Sequence, residues 1–106
     1  MQFPDDDNGD ALRNMAESGD DLSKIRVVDF SVIFKDLESA RNFQSQVQNS
    51  GVTVAIDDDS AEQVDVTVSR EMVPTHASIS DFEAMLDHLA SPLGGRNDGW
   101  GCFAVK

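Results

Sequence analysis

An alternation of apolar and mostly polar residues over positions 26–34 constrains the fold of this chain more than any other feature. The apolar residues stand at the even positions, as Val28, Phe30, Val32 and Phe34. A period of two is typical of a strand with one buried face, and a sheet covered on both faces would show continuous apolar runs instead. The sequence therefore predicts a strand whose odd positions face away from the core.

Two further segments repeat this alternation, and two others have a helical period. Val52, Val54 and Ile56 predict a second strand, while Val64, Val66 and Val68 predict a third, joined to the second as an antiparallel hairpin because the loop is short. Apolar residues over 36–50 and 78–91 recur at helical spacing, and residues 99–105 predict a last strand.

Residues at the predicted helix ends agree with this assignment. Asp36 is the expected N-cap of the first of these helices, while Ser80 and Glu83 have the spacing of a capping box in the second. In the acidic segment 1–24, Asp7 or Asn8 is expected to cap a short helix over 10–18. That helix has few apolar groups, so we expect it to dock on the rest of a single domain, 1–106.

The order is a leading helix followed by β-α-β-β-α-β, and it predicts an α+β fold. Right-handed crossovers turn this order into a ferredoxin-like α/β sandwich, with a four-stranded antiparallel sheet and the helices on one face.

The chain has 106 residues and a formal net charge of −12. Phosphate contacts need clustered Lys and Arg, so this charge predicts no direct binding to nucleic acid. No apolar run approaches the roughly 20 residues of a membrane helix, and the start, 1–7, resembles no signal peptide. With Cys102 as the only cysteine, a cytoplasmic location is expected.

Residues that could carry chemistry are few. The cluster Asp57-Asp58-Asp59 lacks the glycine and glutamate of a calcium loop, and His76 and His88 lack the spacing of zinc ligands. A Cys-His-Asp set could only be drawn from Cys102, one of these two histidines and Asp65, but a thiol inside a strand is usually inert. We therefore predict no enzyme, no metal and no cofactor.

Two segments are less generic. Arg70 and His76 flank the connection 71–75, and we expect their side chains to bond across it. Near the end of the chain, Gly99 and Gly101 flank Trp100, the only tryptophan. Glycine weakens a strand, so this pair predicts close approach by another part of the chain. Trp100 is either core filling or an exposed contact residue, and core filling is the favoured interpretation.

The motif Asp98-Gly99-Trp100-Gly101, the helix before it and the acidic leading helix resemble the RraB-like family, the regulators of ribonuclease E activity B. The stretch Arg70-x-Met72-x-Pro74-Thr75-His76 is similar to that of its shorter members. The resemblance spans nearly the whole chain. It implies the same sandwich and an activity of binding ribonuclease E and inhibiting RNA cleavage, with no catalytic residues to transfer.

The best-known members end in a very acidic tail, and this sequence stops at Lys106 without one. The expected partner is therefore a protein, either ribonuclease E or another basic RNA-binding segment, and not a membrane. The chain is expected to be a monomer or a weak homodimer.

The function predicted from the sequence is that of a non-catalytic, acidic, protein-binding regulator of RNA degradation. One alternative is a small enzyme or small-ligand-binding protein that uses the region of Arg70, His76 and Trp100. Another is a homo-oligomeric sheet protein. The candidate partner-binding residues are Asp29, Asp57, Asp58, Asp59, Asp65, Arg70, His76, Asp98 and Trp100.

Overall fold

The computed structural model describes residues 6–48, 51–58 and 63–102. It contains three helices, four strands and a short 3₁₀ turn, and the predicted α+β sandwich with a four-stranded antiparallel sheet is confirmed. In chain order the elements are α1 (Asp7–Glu17), β1 (Arg26–Phe34), α2 (Leu37–Val47), β2 (Thr53–Asp57), β3 (Val64–Met72), α3 (His76–Ala90), the 3₁₀ turn (Ser91–Leu93) and β4 (Arg96–Cys102).

The strands lie in the order β2-β3-β1-β4, and every neighbouring pair is antiparallel. It follows that β1 and β2 run parallel with β3 between them, while β3 and β4 run parallel with β1 between them. The helices α2 and α3 are the two crossovers. The two longest strands, β1 and β3, therefore occupy the centre, and β2 and β4 form the edges.

One face of the sheet carries the core. The apolar residues at the even positions of β1 and β3 are buried, and they share one cluster with apolar residues of all three helices. Phe30 packs edge-on against Phe82 of α3, with ring centroids 4.7 Å apart, and Phe34 packs against Phe43 of α2 at 5.1 Å. From α1, Leu12 is fully buried in the same cluster. We call this side the core face.

The other side of the sheet we call the open face. Alternation and strand register place on it the odd positions of β1, β2 and β3, together with the residues of β4 opposite Asp29 and Ile33. These residues are Val27, Asp29, Ser31, Ile33, Thr53, Ala55, Asp57, Asp65, Thr67, Ser69, Glu71, Arg96 and Gly101. Of these, Ile33 is only 9% exposed.

Capping explains where the helices begin. Asp36 caps α2 as predicted, since its carboxylate accepts from the Ser39 N–H at 2.7 Å. The capping box predicted at Ser80 and Glu83 is wrong. Thr75 caps α3 and exchanges hydrogen bonds with Ser78, so the helix begins earlier than its apolar stripe indicates.

Gly99 and Gly101 do not mark a close approach, because a Cβ atom at either position would meet nothing within 4 Å. Gly99 has a φ of +103° and lies where the β1–β4 register shifts between Phe30 and Val32. Its role is therefore to form a β-bulge, for which glycine is the favoured residue. The close approach occurs instead at Gly95, where a Cβ atom would overlap the ring of Phe34.

Gly95→Ala should destabilise the fold. The Phe34 ring is 1% exposed and cannot move aside without disturbing the core, so we expect a loss of about 1–3 kcal/mol in the free energy of unfolding. Gly101→Ala is the matched control, and its effect should stay within about 0.5 kcal/mol. Urea unfolding of both variants measures the difference, and equal stabilities would contradict the close packing at Gly95.

Candidate functional site

The predicted acidic residues of the sheet lie on the open face. Asp29 and Asp57 are exposed and Asp65 is half-buried. Ser69 donates to the Asp29 carboxylate at 2.6 Å, and the Gln63 amide donates to that of Asp65 at 3.1 Å. These neutral donors orient the carboxylates without neutralising their charge.

Asp57 and Asp65 stand directly opposite each other on β2 and β3. Like charges at directly opposed positions destabilise a sheet, by roughly 0.2–1 kcal/mol. Asp58 follows β2 and is exposed, whereas Asp59 lies outside the described residues.

The strand β3 extends further than its alternation predicts, and this adds a carboxylate to the open face. The apolar pattern stops at Val68, but β3 runs to Met72, which brings Glu71 opposite Val27. Glu71 was not among the predicted site residues. The signal that could have identified it is its position, an even number of residues after Asp65.

Arg70 lies on the core face, opposite Val28. Its guanidinium carbon is 4.8 Å from the centre of the Phe82 ring, a cation–π geometry, and the expected bond to His76 is not formed. Arg70 lines an open groove of about 600 Å³ between the end of β3 and α3. Its neighbours there include Met72, Phe82 and Met85.

His76 contacts the start of α1. It is the first residue of α3, and its Nε2 lies 2.9 Å from the carboxylate of Asp6. Asp6 is also the N-cap of α1, in place of the predicted Asp7 or Asn8, because it accepts from the Gly9 N–H at 2.8 Å. The Gly9 N–H, followed by the His76 side chain, holds the pKa of Asp6 below its usual value of 3.8. One carboxylate thus joins the beginnings of two helices.

Trp100 lies on the core face, opposite Phe30, and is half-buried. Its Nε1 donates to the Asn8 side chain of α1 at 2.9 Å. The Asn8 amide donates in turn to Ser80 at 3.0 Å and to Glu83 at 2.7 Å. Trp100 is therefore a packing residue with a polar contact, in agreement with the favoured interpretation.

The network around Asn8 holds α1 in place. Glu83 accepts from Asn8 with one carboxylate oxygen and from the Asn97 amide, at 2.6 Å, with the other. Among the described residues, no buried side-chain polar atom lacks a hydrogen-bond partner. Both oxygens of Glu83 are engaged within the chain, so this network is organised as a helix-docking contact and not as an acid–base site.

Arg70 and Trp100, two of the residues of the small-ligand alternative, do not line one cleft. Arg70 lines the groove beside α3, while Trp100 lines another open groove, of about 470 Å³, with Asp6 and Asn97. Asp98 is exposed on β4. The enzyme or small-ligand alternative required these groups to converge in one cleft, so it loses its geometric support.

A cysteine nucleophile set is also not assembled. Cys102 lies on the core face opposite Val28, whereas Asp65 belongs to the open face. Burial raises the pKa of the Cys102 thiol, which disfavours the reactive thiolate. Among residues 6–48, 51–58 and 63–102, no group of three or more His, Cys, Asp or Glu side chains could hold a metal ion.

Acid should weaken the attachment of α1. A carboxyl whose folded pKa is lowered stabilises the fold above its unfolded pKa, and this stabilisation is lost as the pH falls below 3.8 towards the folded value. We expect the fluorescence of Trp100, which bonds to α1, to shift to longer wavelength in that range. Asp6→Asn keeps a good N-cap but does not titrate, so its shift should be smaller. Identical titrations would contradict the role of Asp6.

The fold and this geometry define a small α+β sandwich with one face of its sheet open. A comparison with models of known protein families identifies the family of this chain. The model described as regulator of ribonuclease activity B (RraB) matches residues 5–102, and the chain belongs to this family. Membership implies a regulator of ribonuclease activity, and hence a protein partner. A search of curated proteins found no match. No helix in the described part of the chain is long and apolar enough to cross a membrane.

Proposed function

We propose that this protein is a non-catalytic regulator whose open face binds a cationic segment of a ribonuclease. The observation that carries the proposal is the charge of that face. The carboxylates of Asp29, Asp57, Asp65 and Glu71 share it with the single guanidinium of Arg96. A sheet face with a net negative charge complements an extended basic segment.

Competition for positive charge would couple this binding to RNA cleavage. A ribonuclease holds RNA through Lys and Arg side chains that contact phosphates, and those contacts supply much of its affinity. Carboxylates that occupy the same side chains exclude the phosphates. The ribonuclease would then lose RNA affinity without any change at its catalytic site.

Ribonuclease E is the partner that the family resemblance suggests, and another protein with a basic RNA-binding segment is the alternative. Asp58, which is exposed directly after Asp57, would extend the acidic surface beyond the end of β2. A cytoplasmic location stays a prediction. Arg70 and Trp100 lie on the core face and His76 begins α3, so we leave these three predicted residues out of this surface. Asp98, which is exposed on β4, stays a candidate for it.

The test is a binding titration of purified ribonuclease E at several salt concentrations, with and without an RNA substrate. Exposed charges are screened within about 10 Å at 0.1 M salt, so affinity should fall steeply as salt rises. RNA should displace this protein. Salt-independent binding, or a stable complex that holds RNA and this protein at full occupancy, would contradict the proposal.

A further inference from the structure

The large hydrophobic side chains that are exposed in the described part of the chain are gathered at one end of the sheet. Ile25 is 59% exposed, Val27 is 52% exposed and Val73 is 37% exposed. Val27 lies in β1 opposite Glu71, Ile25 precedes it by two positions, and Val73 follows the last residue of β3. We call Ile25 and Val27 the apolar corner, since alternation places both on the open face.

The residue between them fixes this orientation. Arg26 is 7% exposed, and its guanidinium donates to both carboxylate oxygens of Asp20 at 2.7 Å. Successive side chains of a strand point to opposite faces. With Arg26 held in a buried ion pair on the core-face side, Ile25 and Val27 are directed to the open face.

Charge decides what kind of molecule can cover the apolar corner. A second copy of this chain, meeting it through the same face, would bring its own Asp29 and Glu71 close to those of the first copy. Like charges brought together at an interface cost several kcal/mol. A cationic segment is attracted by the same carboxylates, so it is the occupant that fits.

We infer that the apolar corner binds an apolar side chain of the cationic segment, so the partner is recognised by an apolar residue at a set distance from its basic residues. This inference rests on the proposed function and specifies the segment that the open face selects. This apolar contact should also respond to salt differently from the charge contacts, because burial of apolar surface does not weaken as salt rises.

The strand geometry sets the spacing. Asp29 lies two positions after Val27, which is about 7 Å along a strand. Ile33 lies six positions after Val27, about 20 Å along the same strand, and pairs with Asp65 on one side and with Arg96 on the other. The attraction for basic residues there comes from the Asp65 side. A segment extended along β1 would therefore carry an apolar residue, a basic residue two positions away and further basic residues about six positions away.

Two synthetic peptides of equal charge test this. The first has a leucine, a lysine two positions later and a pair of lysines about six positions after the leucine, with serine, threonine and glycine elsewhere. The second has serine in place of the leucine. Burying a leucine against the apolar corner should make the first peptide bind about tenfold more tightly, and this ratio should persist at high salt.

Protein variants locate the effect. Ile25→Thr with Val27→Thr keeps the branched shape and removes apolar surface, so the ratio between the two peptides should fall to about one. Val27→Ile should preserve it, and thermal unfolding shows whether each variant is folded.

The inference is overturned if the two peptides bind equally well or if the threonine variant keeps the full ratio. It is also overturned if the wild type is a dimer that the threonine substitutions dissociate. The proposed function survives those results whenever the serine peptide binds in a salt-dependent manner, and it fails if neither peptide binds at low salt.

Discussion

Asp20→Ala should destabilise this protein by about 3 kcal/mol, because it leaves the buried guanidinium of Arg26 without its carboxylate. The side chains of this ion pair are 4% and 1% exposed. Arg26 would keep its contacts to the backbone carbonyl oxygens of Asp21, at 2.7 Å, and Lys24, at 3.3 Å. Because those neutral contacts remain, we expect a loss at the lower end of the roughly 3–5 kcal/mol that removal of one partner of a buried ion pair costs.

Urea unfolding measures this effect, and the chain offers a matched control. Asp10 forms an exposed ion pair with Arg13 at 3.2 Å. Asp10→Ala removes the same number of charges, but exposed pairs contribute only about 0–1 kcal/mol. A loss at Asp20 no larger than that at Asp10 would show that the Arg26 pair does not hold the segment before β1 in place.

Neutralising the open face should weaken binding to the ribonuclease by at least about fourfold at low salt, if each of the four lost charge contacts contributes roughly 0.2–1 kcal/mol. The variant combines Asp29→Asn, Asp57→Asn, Asp65→Asn and Glu71→Gln. Amides keep the shape of each side chain and can still accept the hydrogen bonds from Ser69 and Gln63. The loss should be largest at low salt and should shrink as salt rises.

A control variant with the same change in net charge separates the open face from the overall charge of the protein. It carries Glu17→Gln, Glu38→Gln, Asp81→Asn and Asp87→Asn, all at exposed helix positions. Binding by this variant should stay close to that of the wild type. Equal losses in both variants would mean that net charge alone attracts the partner.

The single substitution Asp65→Asn can be tested by its effect on stability as well as on binding. Asp65→Asn removes the repulsion from Asp57, so it should raise the free energy of unfolding by roughly 0.2–1 kcal/mol while it weakens binding. If replacing Asp65 weakens binding and also stabilises the fold, then the carboxylate serves binding at a cost to stability.

The fold was predictable from sequence wherever the polarity of a side chain indicates whether that side chain is buried. Alternation identified β1 and one face of β3, and the helical stripes at Ala40 and Phe82 identified α2 and α3 because those residues pack in the core. Asp36 was predictable as an N-cap since that contact is local, reaching only three residues along the chain.

Several of the errors arise where a contact joins residues distant in sequence. Ser80 and Glu83 match a capping box, but their side chains bond to Asn8, more than seventy positions earlier. Gly99, beside Trp100, forms a bulge that only the register with β1 reveals. Glu71 was missed because exposed residues at the end of β3 carry no apolar signal.

Part of the candidate site was predictable because alternation along a strand also indicates which residues are exposed. The open-face carboxylates Asp29 and Asp65 follow from alternation once a core face is assumed. The apolar corner does not follow, because the burial of Arg26 with Asp20 depends on how the segment before β1 folds back. Nor could the sequence show that Arg70 and Trp100 line different grooves.

The measurement that tests the central claim most directly is an NMR titration of the isotope-labelled protein with the basic RNA-binding segment of the ribonuclease. If the open face binds that segment, the largest chemical-shift changes will fall on odd positions of β1 and β3, including Val27, Asp29, Asp65 and Thr67. Changes confined to the outer surfaces of α2 and α3, with these strands unaffected, would contradict it.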